Sequence, residues 1–127
     1  MKLEHVALNV SDPIAMAKWY CEHIGLSIVR SSEEAPFAHF LTDESRDSMI
    51  EIYCNPPDAV PDYASLDPLV VHLAFTSEDP IADKARLEKA GATFALETRT
   101  NTGGHLVMIR DPWGLCVQLC KRGSKML

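Results

Sequence analysis

The chain has 127 residues, 46% of them hydrophobic, 24% charged and 7% aromatic, a balance that fits one globular domain and excludes a disordered or low-complexity chain. Lys and Arg number 12 against 18 Asp and Glu, a net charge of −6, and the basic residues are scattered rather than gathered into a stripe, so nucleic acid is not an expected partner. No apolar run approaches the roughly 18 to 20 residues of a membrane span, and the opening Met1-Lys2-Leu3-Glu4-His5 lacks the apolar core of a signal peptide. A soluble, cytoplasmic protein without a membrane partner is expected.

The first predicted element is a strand, Leu3 to Val10, rich in Val and Leu. A helix follows, with Asp12 as N-cap, Pro13 at the first helical position where its missing N–H costs nothing, and Gly25 as the stop. Ile14, Ala17, Cys21 and Ile24 form an apolar stripe along its face, and His23 reads as exposed. Three strand candidates come next: Leu26 to Arg30, Phe37 to Thr42 and Ser48 to Cys54. After the Pro-rich stretch Asn55 to Pro61 the pattern restarts, with a strand at Leu69 to Thr76, the N-cap Asp79 before Pro80, a helix over Ile81 to Ala90, and Gly91. Strand candidates at Thr93 to Arg99, His105 to Arg110 and Leu115 to Cys120 complete it. Thr102-Gly103-Gly104 and Asp111-Pro112-Trp113-Gly114 have the composition of tight turns.

The restart is an internal repeat. His5-Val6-Ala7-Leu8 matches His72-Leu73-Ala74-Phe75, Asp12-Pro13-Ile14-Ala15 matches Asp79-Pro80-Ile81-Ala82, and Ile50-Glu51-Ile52 matches Val117-Gln118-Leu119, each 67 residues on. The chain therefore reads as one α+β domain, 1–127, made of two βαβββ pseudo-repeats, about 1–54 and 69–121, joined by a linker at 55–68. The four cysteines, Cys21, Cys54, Cys116 and Cys120, lack zinc-finger spacing and the density of a disulfide scaffold, so reduced, buried thiols are expected.

Strand alternation sorts the side chains into two faces. One face is apolar throughout, with Val6, Leu8 and Val10; Ile50, Ile52 and Cys54; Val71, Leu73 and Phe75; Leu115, Val117 and Leu119 presenting a continuous surface for the helices. The other carries four polar residues, His5, Glu51, His72 and Gln118, one in the first and one in the last strand of each repeat. Singly, each has an ordinary reading: a hydrogen-bonded core histidine, a glutamate paired with Arg30 or Arg99, a satisfied amide. Their shared phase and repeat-equivalent positions favour a divalent metal site instead, because two imidazoles, a carboxylate and an amide oxygen form a borderline donor set that a pseudo-twofold axis would bring together. Such a mixed N/O set suits Zn, Ni, Co, Mn or Fe(II). The facing of His39 and His105 is open. Met49, Tyr53, Cys116 and Cys120 are expected to line the cleft, with Arg30 or Arg99 as candidate anchors for a carboxylate.

The segments Leu3 to Val10, Trp19-Tyr20 before Ile24-Gly25-Leu26, Ala90-Gly91-Ala92 and Asp111 to Gly114 resemble the vicinal oxygen chelate superfamily, which groups glyoxalase I, bleomycin-resistance proteins, extradiol dioxygenases, fosfomycin-resistance enzymes and methylmalonyl-CoA epimerase; the resemblance covers residues 2 to 121. It implies an open, eight-stranded barrel-like sheet around a metal, commonly in a homodimer, with metal residues at His5, Glu51, His72 and Gln118. Gln118 is a departure, since glyoxalase-like members usually carry Glu there, and the amide counts against the oxygenases and fosfomycin enzymes. The implied activity is that of a metal-dependent glyoxalase I-like lyase or isomerase acting on a small vicinal-dioxygen substrate through an enediolate or enolate, with Glu51 as base. The alternative is a non-catalytic, bleomycin-resistance-like dimer that sequesters a ligand.

Overall fold

The computed structural model describes residues 1–126 and divides into two compact units, one spanning Met1–Pro61 and one beginning at Asp62. The first unit contains β1 (His5–Asn9), α1 (Pro13–Trp19), β2 (Ser27–Ser31), β3 (His39–Thr42) and β4 (Met49–Tyr53). The second contains β5 (His72–Thr76), α2 (Pro80–Lys89), β6 (Thr93–Arg99), β7 (His105–Arg110) and β8 (Cys116–Lys121). Each unit is a four-stranded mixed sheet, ordered β1-β4-β3-β2 and β5-β8-β7-β6. In both, the first and last strands pair in parallel, which requires a crossover, and the helix supplies it. The α+β class and the doubled βαβββ pattern are therefore present.

The helix starts follow the sequence signals. Asp12 Oδ1 accepts from the Ala15 amide at 3.0 Å, and Asp79 Oδ1 from the Ile81 and Ala82 amides at 3.2 and 3.1 Å. The first helical segment differs at its end. Its α-helix stops at Trp19 and a π-helical turn, Tyr20–Ile24, carries the chain to Gly25, which adopts φ +92°. That turn places His23 edge-on to Trp19 at 5.4 Å, so the histidine is half-buried rather than exposed.

The apolar face of each sheet meets its own helix. In the first unit α1 packs on β3 and β4, where Val10, Met16, Tyr20, Leu41 and Ile52 are fully buried. In the second, α2 packs on β7 and β8 around Leu87, Val107, Ile109, Leu115 and Val117. Each such side chain contributes roughly 1.5–3 kcal/mol relative to an exposed position. Val6 departs from the expected apolar surface and is 48% exposed. His39, opposite Ile52, belongs to this helix-covered face and is buried, with its Nδ1–H donating to the Phe37 carbonyl at 2.8 Å. His105 is also buried, its Nε2 2.7 Å from Glu97 Oε1.

Residues 62–68 are tied to the second unit by one arginine. Arg110 donates to the carbonyls of Tyr63 (2.8 Å), Leu66 (2.7 Å) and Gly114 (3.0 Å). The strap then crosses so close to the β7–β8 turn that a Cβ on Gly114 would sit 2.7 Å from the Ala64 amide nitrogen, at a φ of +87°. Both the backbone conformation and the space demand glycine. Gly114→Ala should therefore cost about 3 kcal/mol, lowering the melting temperature by on the order of 10 °C in a thermal scan. An alanine variant melting with the wild type would contradict the close approach.

All four cysteines are free thiols, Cys116 and Cys120 buried and Cys21 and Cys54 half-buried. No helix among the described residues is long and apolar enough to cross a membrane.

Candidate metal and substrate site

The faces turned away from the helices hold the four polar residues, and register places them equivalently. In the first unit His5 pairs with Met49 and Ala7 with Glu51; in the second His72 pairs with Cys116 and Ala74 with Gln118. Each histidine is thus a diagonal neighbour, on the same face, of its unit's polar residue on the parallel strand. The donors come as two pairs, and among the described residues no three His, Cys, Asp or Glu side chains form a metal-holding group.

In the first pair, His5 Nε2 lies 3.3 Å from Glu51 Oε2, with the side chains 35% and 20% exposed. The other ring nitrogen, Nδ1, contacts the Glu4 carboxylate. A carboxylate only accepts, so this contact requires the proton on Nδ1 and orients the ring with Nε2 toward Glu51. Nε2 and Glu51 Oε2 face each other across 3.3 Å, a spacing that suits either a protonated imidazole donating to the carboxylate or a cation held between the two. Metal–nitrogen and metal–oxygen bonds of about 2.0–2.2 Å at a tetrahedral angle span about 3.3 Å between donors, so the pair fits one edge of a zinc-like set. Phe40, which pairs with Glu51 across β3 and β4, packs its ring edge-on to His5 at 5.8 Å and 89°, restraining the imidazole.

In the second pair, His72 Nδ1–H donates to the Pro68 carbonyl at 3.0 Å, leaving Nε2 as the free donor. Gln118 is buried, and its Oε1 accepts the Cys120 thiol at 2.9 Å. Burial pushes both the Cys116 and Cys120 thiols above their ordinary range, which favours the S–H form at neutral pH. Gln118 keeps a second lone pair, and an amide oxygen is a legitimate, weaker donor.

Three supporting groups escape strand-phase reasoning. Glu4 reaches Nδ1 of His5 because β1 begins at His5; a strand running from Leu3 would send adjacent side chains to opposite faces. The Pro68 carbonyl lies in the strap held by Arg110, and no side-chain pattern reports it. Phe40 needed the β3–β4 register. Of the two candidate anchors, Arg99 is exposed and lies 3.8 Å from Glu97, whereas Arg30 pairs with Phe40 and so shares the Glu51 face.

Residues 2–119 match the model of the Glyoxalase/Bleomycin resistance protein/Dioxygenase superfamily. The chain belongs to this superfamily. A curated relative from Vibrio parahaemolyticus, named "Probable lactoylglutathione lyase", is 26% identical over 125 residues, covering 93% of this chain and 88% of its own. Among solved structures, the glyoxalase family protein from Enterococcus faecalis is similar at 26% identity with a TM-score of 0.71, covering 94% of this chain and 97% of that one. TnmS3, an antibiotic binding protein from Streptomyces sp. CB03234, superposes with a TM-score of 0.73 at 19% identity over 96% of both chains, a likeness of fold. The superfamily fold is thus common to proteins named for catalysis and for binding.

Proposed function

We propose that the protein is a metal-dependent lyase or isomerase of the glyoxalase I kind, with His5, Glu51, His72 and Gln118 as its metal residues and Glu51 as its base. The observation that carries this reading is the 3.3 Å approach of His5 Nε2 to Glu51 Oε2, with the ring oriented by the contact of its opposite nitrogen with Glu4. The matching Nδ1 contact at His72 supports the same role for the second histidine. The relative named for lactoylglutathione supports a hemithioacetal of a 2-oxoaldehyde as the substrate. When bound, a divalent ion would supply Lewis-acid polarisation of the vicinal oxygens.

Glu51 then performs the proton transfer. Its carboxylate takes the proton from the carbon bearing the hydroxyl and sulfur, leaving an enediolate, and returns it to the neighbouring carbon as the hydroxyl proton moves to the former ketone oxygen. The product is the isomeric 2-hydroxyacyl thioester, and nothing is gained or lost. Gln118 cannot exchange protons at neutral pH, so Glu51 carries both halves of the transfer. Within the same reading the protein works as a homodimer and in the cytoplasm.

The test joins metal analysis to turnover. Tag-free protein should contain about one equivalent of a divalent transition metal per chain and, replete, should isomerise the hemithioacetal of methylglyoxal. A protein that resists metal loading and is inert toward a panel of thiol–aldehyde adducts and 2-substituted acyl thioesters would instead be the sequestering, bleomycin-resistance-like binder.

A further inference from the structure

The two halves orient their histidines by different means. In the first unit the residue before His5, Glu4, meets Nδ1 with a carboxylate. The repeat-equivalent residue before His72 is Val71, whose side chain has nothing to offer a hydrogen bond. His72 Nδ1 meets a backbone carbonyl instead, that of Pro68, so the setting of this ring depends on where the strap at 62–68 lies.

One side chain clamps that strap. Arg110 Nη1 donates to the Tyr63 and Gly114 carbonyls at 2.8 and 3.0 Å, and Nη2 to the Leu66 carbonyl at 2.7 Å. Three of the five N–H groups of the guanidinium are thus spent on backbone oxygens, two in the strap and one in the β7–β8 turn. Leu66 stands two residues before Pro68, and the intervening chain is tight. The Val70 amide donates to the Asp67 carbonyl at 2.9 Å and the Leu69 amide to Asp67 Oδ1 at 2.8 Å. A strap that shifts at Leu66 therefore carries the Pro68 carbonyl with it. Register adds an independent observation: His72 lies opposite Cys116 and Cys116 opposite Arg110, so arginine, thiol and imidazole form one cross-strand row on one face of the sheet.

We propose that Arg110 is the positioning residue for His72 and the second unit's counterpart of Glu4. By clamping the strap it aims the Pro68 carbonyl at Nδ1, which selects the Nδ1–H form of the neutral ring and gives Nε2 the lone pair that an ion needs. The proposal rests on the metal reading only for what Nε2 then binds; the selection of the tautomer belongs to the metal-free chain.

Imidazole 15N NMR of the metal-free full chain at about pH 8, above the ordinary histidine range, reads the tautomer directly. Wild type should show His72 in the Nδ1–H form alone. Arg110→Lys keeps the charge but loses the fork, and should give a mixture of both tautomers, with Arg110→Gln shifted further. In calorimetric titration with Zn(II), affinity should fall 10- to 100-fold in the same order, the range typical when a partner that orients a ligand histidine is lost. Lys89→Ala, which removes an exposed charge from α2, should change neither readout. Arg110→Lys decides the matter if Arg110→Gln does not fold, since an ammonium still meets part of the carbonyl set. A folded Arg110→Lys chain with His72 wholly in the Nδ1–H form overturns the proposal, because the turn at 67–70 alone would then set Pro68. So does a Zn(II) affinity equal to that of a metal-binding wild type. A wild type that binds no Zn(II) sinks the metal reading alone, and the tautomer comparison still decides the role of Arg110.

Discussion

Glu51→Gln should reduce turnover by about 10² to 10⁴, the range typical of a lost general base, while leaving metal content closer to wild type than a histidine variant does. The substitution preserves the shape and one donor oxygen of a side chain 20% exposed, so the fold has little reason to change. What disappears is the group that takes a proton from carbon. The second unit offers no substitute at the equivalent position, because Gln118 is an amide and its neighbours Cys116 and Cys120 are thiols whose S–H form burial favours. The decisive comparison is kcat with metal occupancy measured on the same samples. Near wild-type kcat in a metal-loaded Glu51→Gln enzyme would make Glu51 a ligand only and defeat the proposed mechanism.

The elements and the four polar residues were legible in the sequence because they depend on local rules. Asp12-Pro13 and Asp79-Pro80 mark helix starts wherever they occur, and alternation alone puts Glu51 and Gln118 in the same phase as the histidines of the paired strands. What stayed hidden depends on register or on the backbone. Phe40 meets His5 only because β3 pairs it with Glu51, and the β2–β3 irregularity between Ile28 and Arg30 decides that Arg30 shares that face. The bond orienting His72 comes from a carbonyl, which no residue type announces. The π-helical turn that buries His23 against Trp19 interrupts a stripe that reads as continuous α-helix.

His5→Ala and His72→Ala should each abolish stoichiometric metal binding, since each removes a neutral nitrogen from a set whose remaining members are one imidazole, one carboxylate and a weak amide donor. Glu4→Gln is the informative companion. It leaves His5 in place but weakens the contact that holds its proton on Nδ1, and losses of 10- to 100-fold in affinity are typical when such an orienting partner is removed. The three variants should therefore rank with Glu4→Gln between wild type and the alanine variants. Stability follows by mass action: an ion that binds only the folded chain, at a free concentration of about 100 times its Kd, adds about 2.7 kcal/mol, which a strong chelator removes. Chelator should lower the wild-type melting temperature by several degrees and leave His5→Ala unmoved, because that variant has no bound ion to lose. A wild-type melt that ignores both chelator and added divalent metal would show that these histidines bind no ion, and their Nδ1 contacts with Glu4 and Pro68 would then serve only the fold.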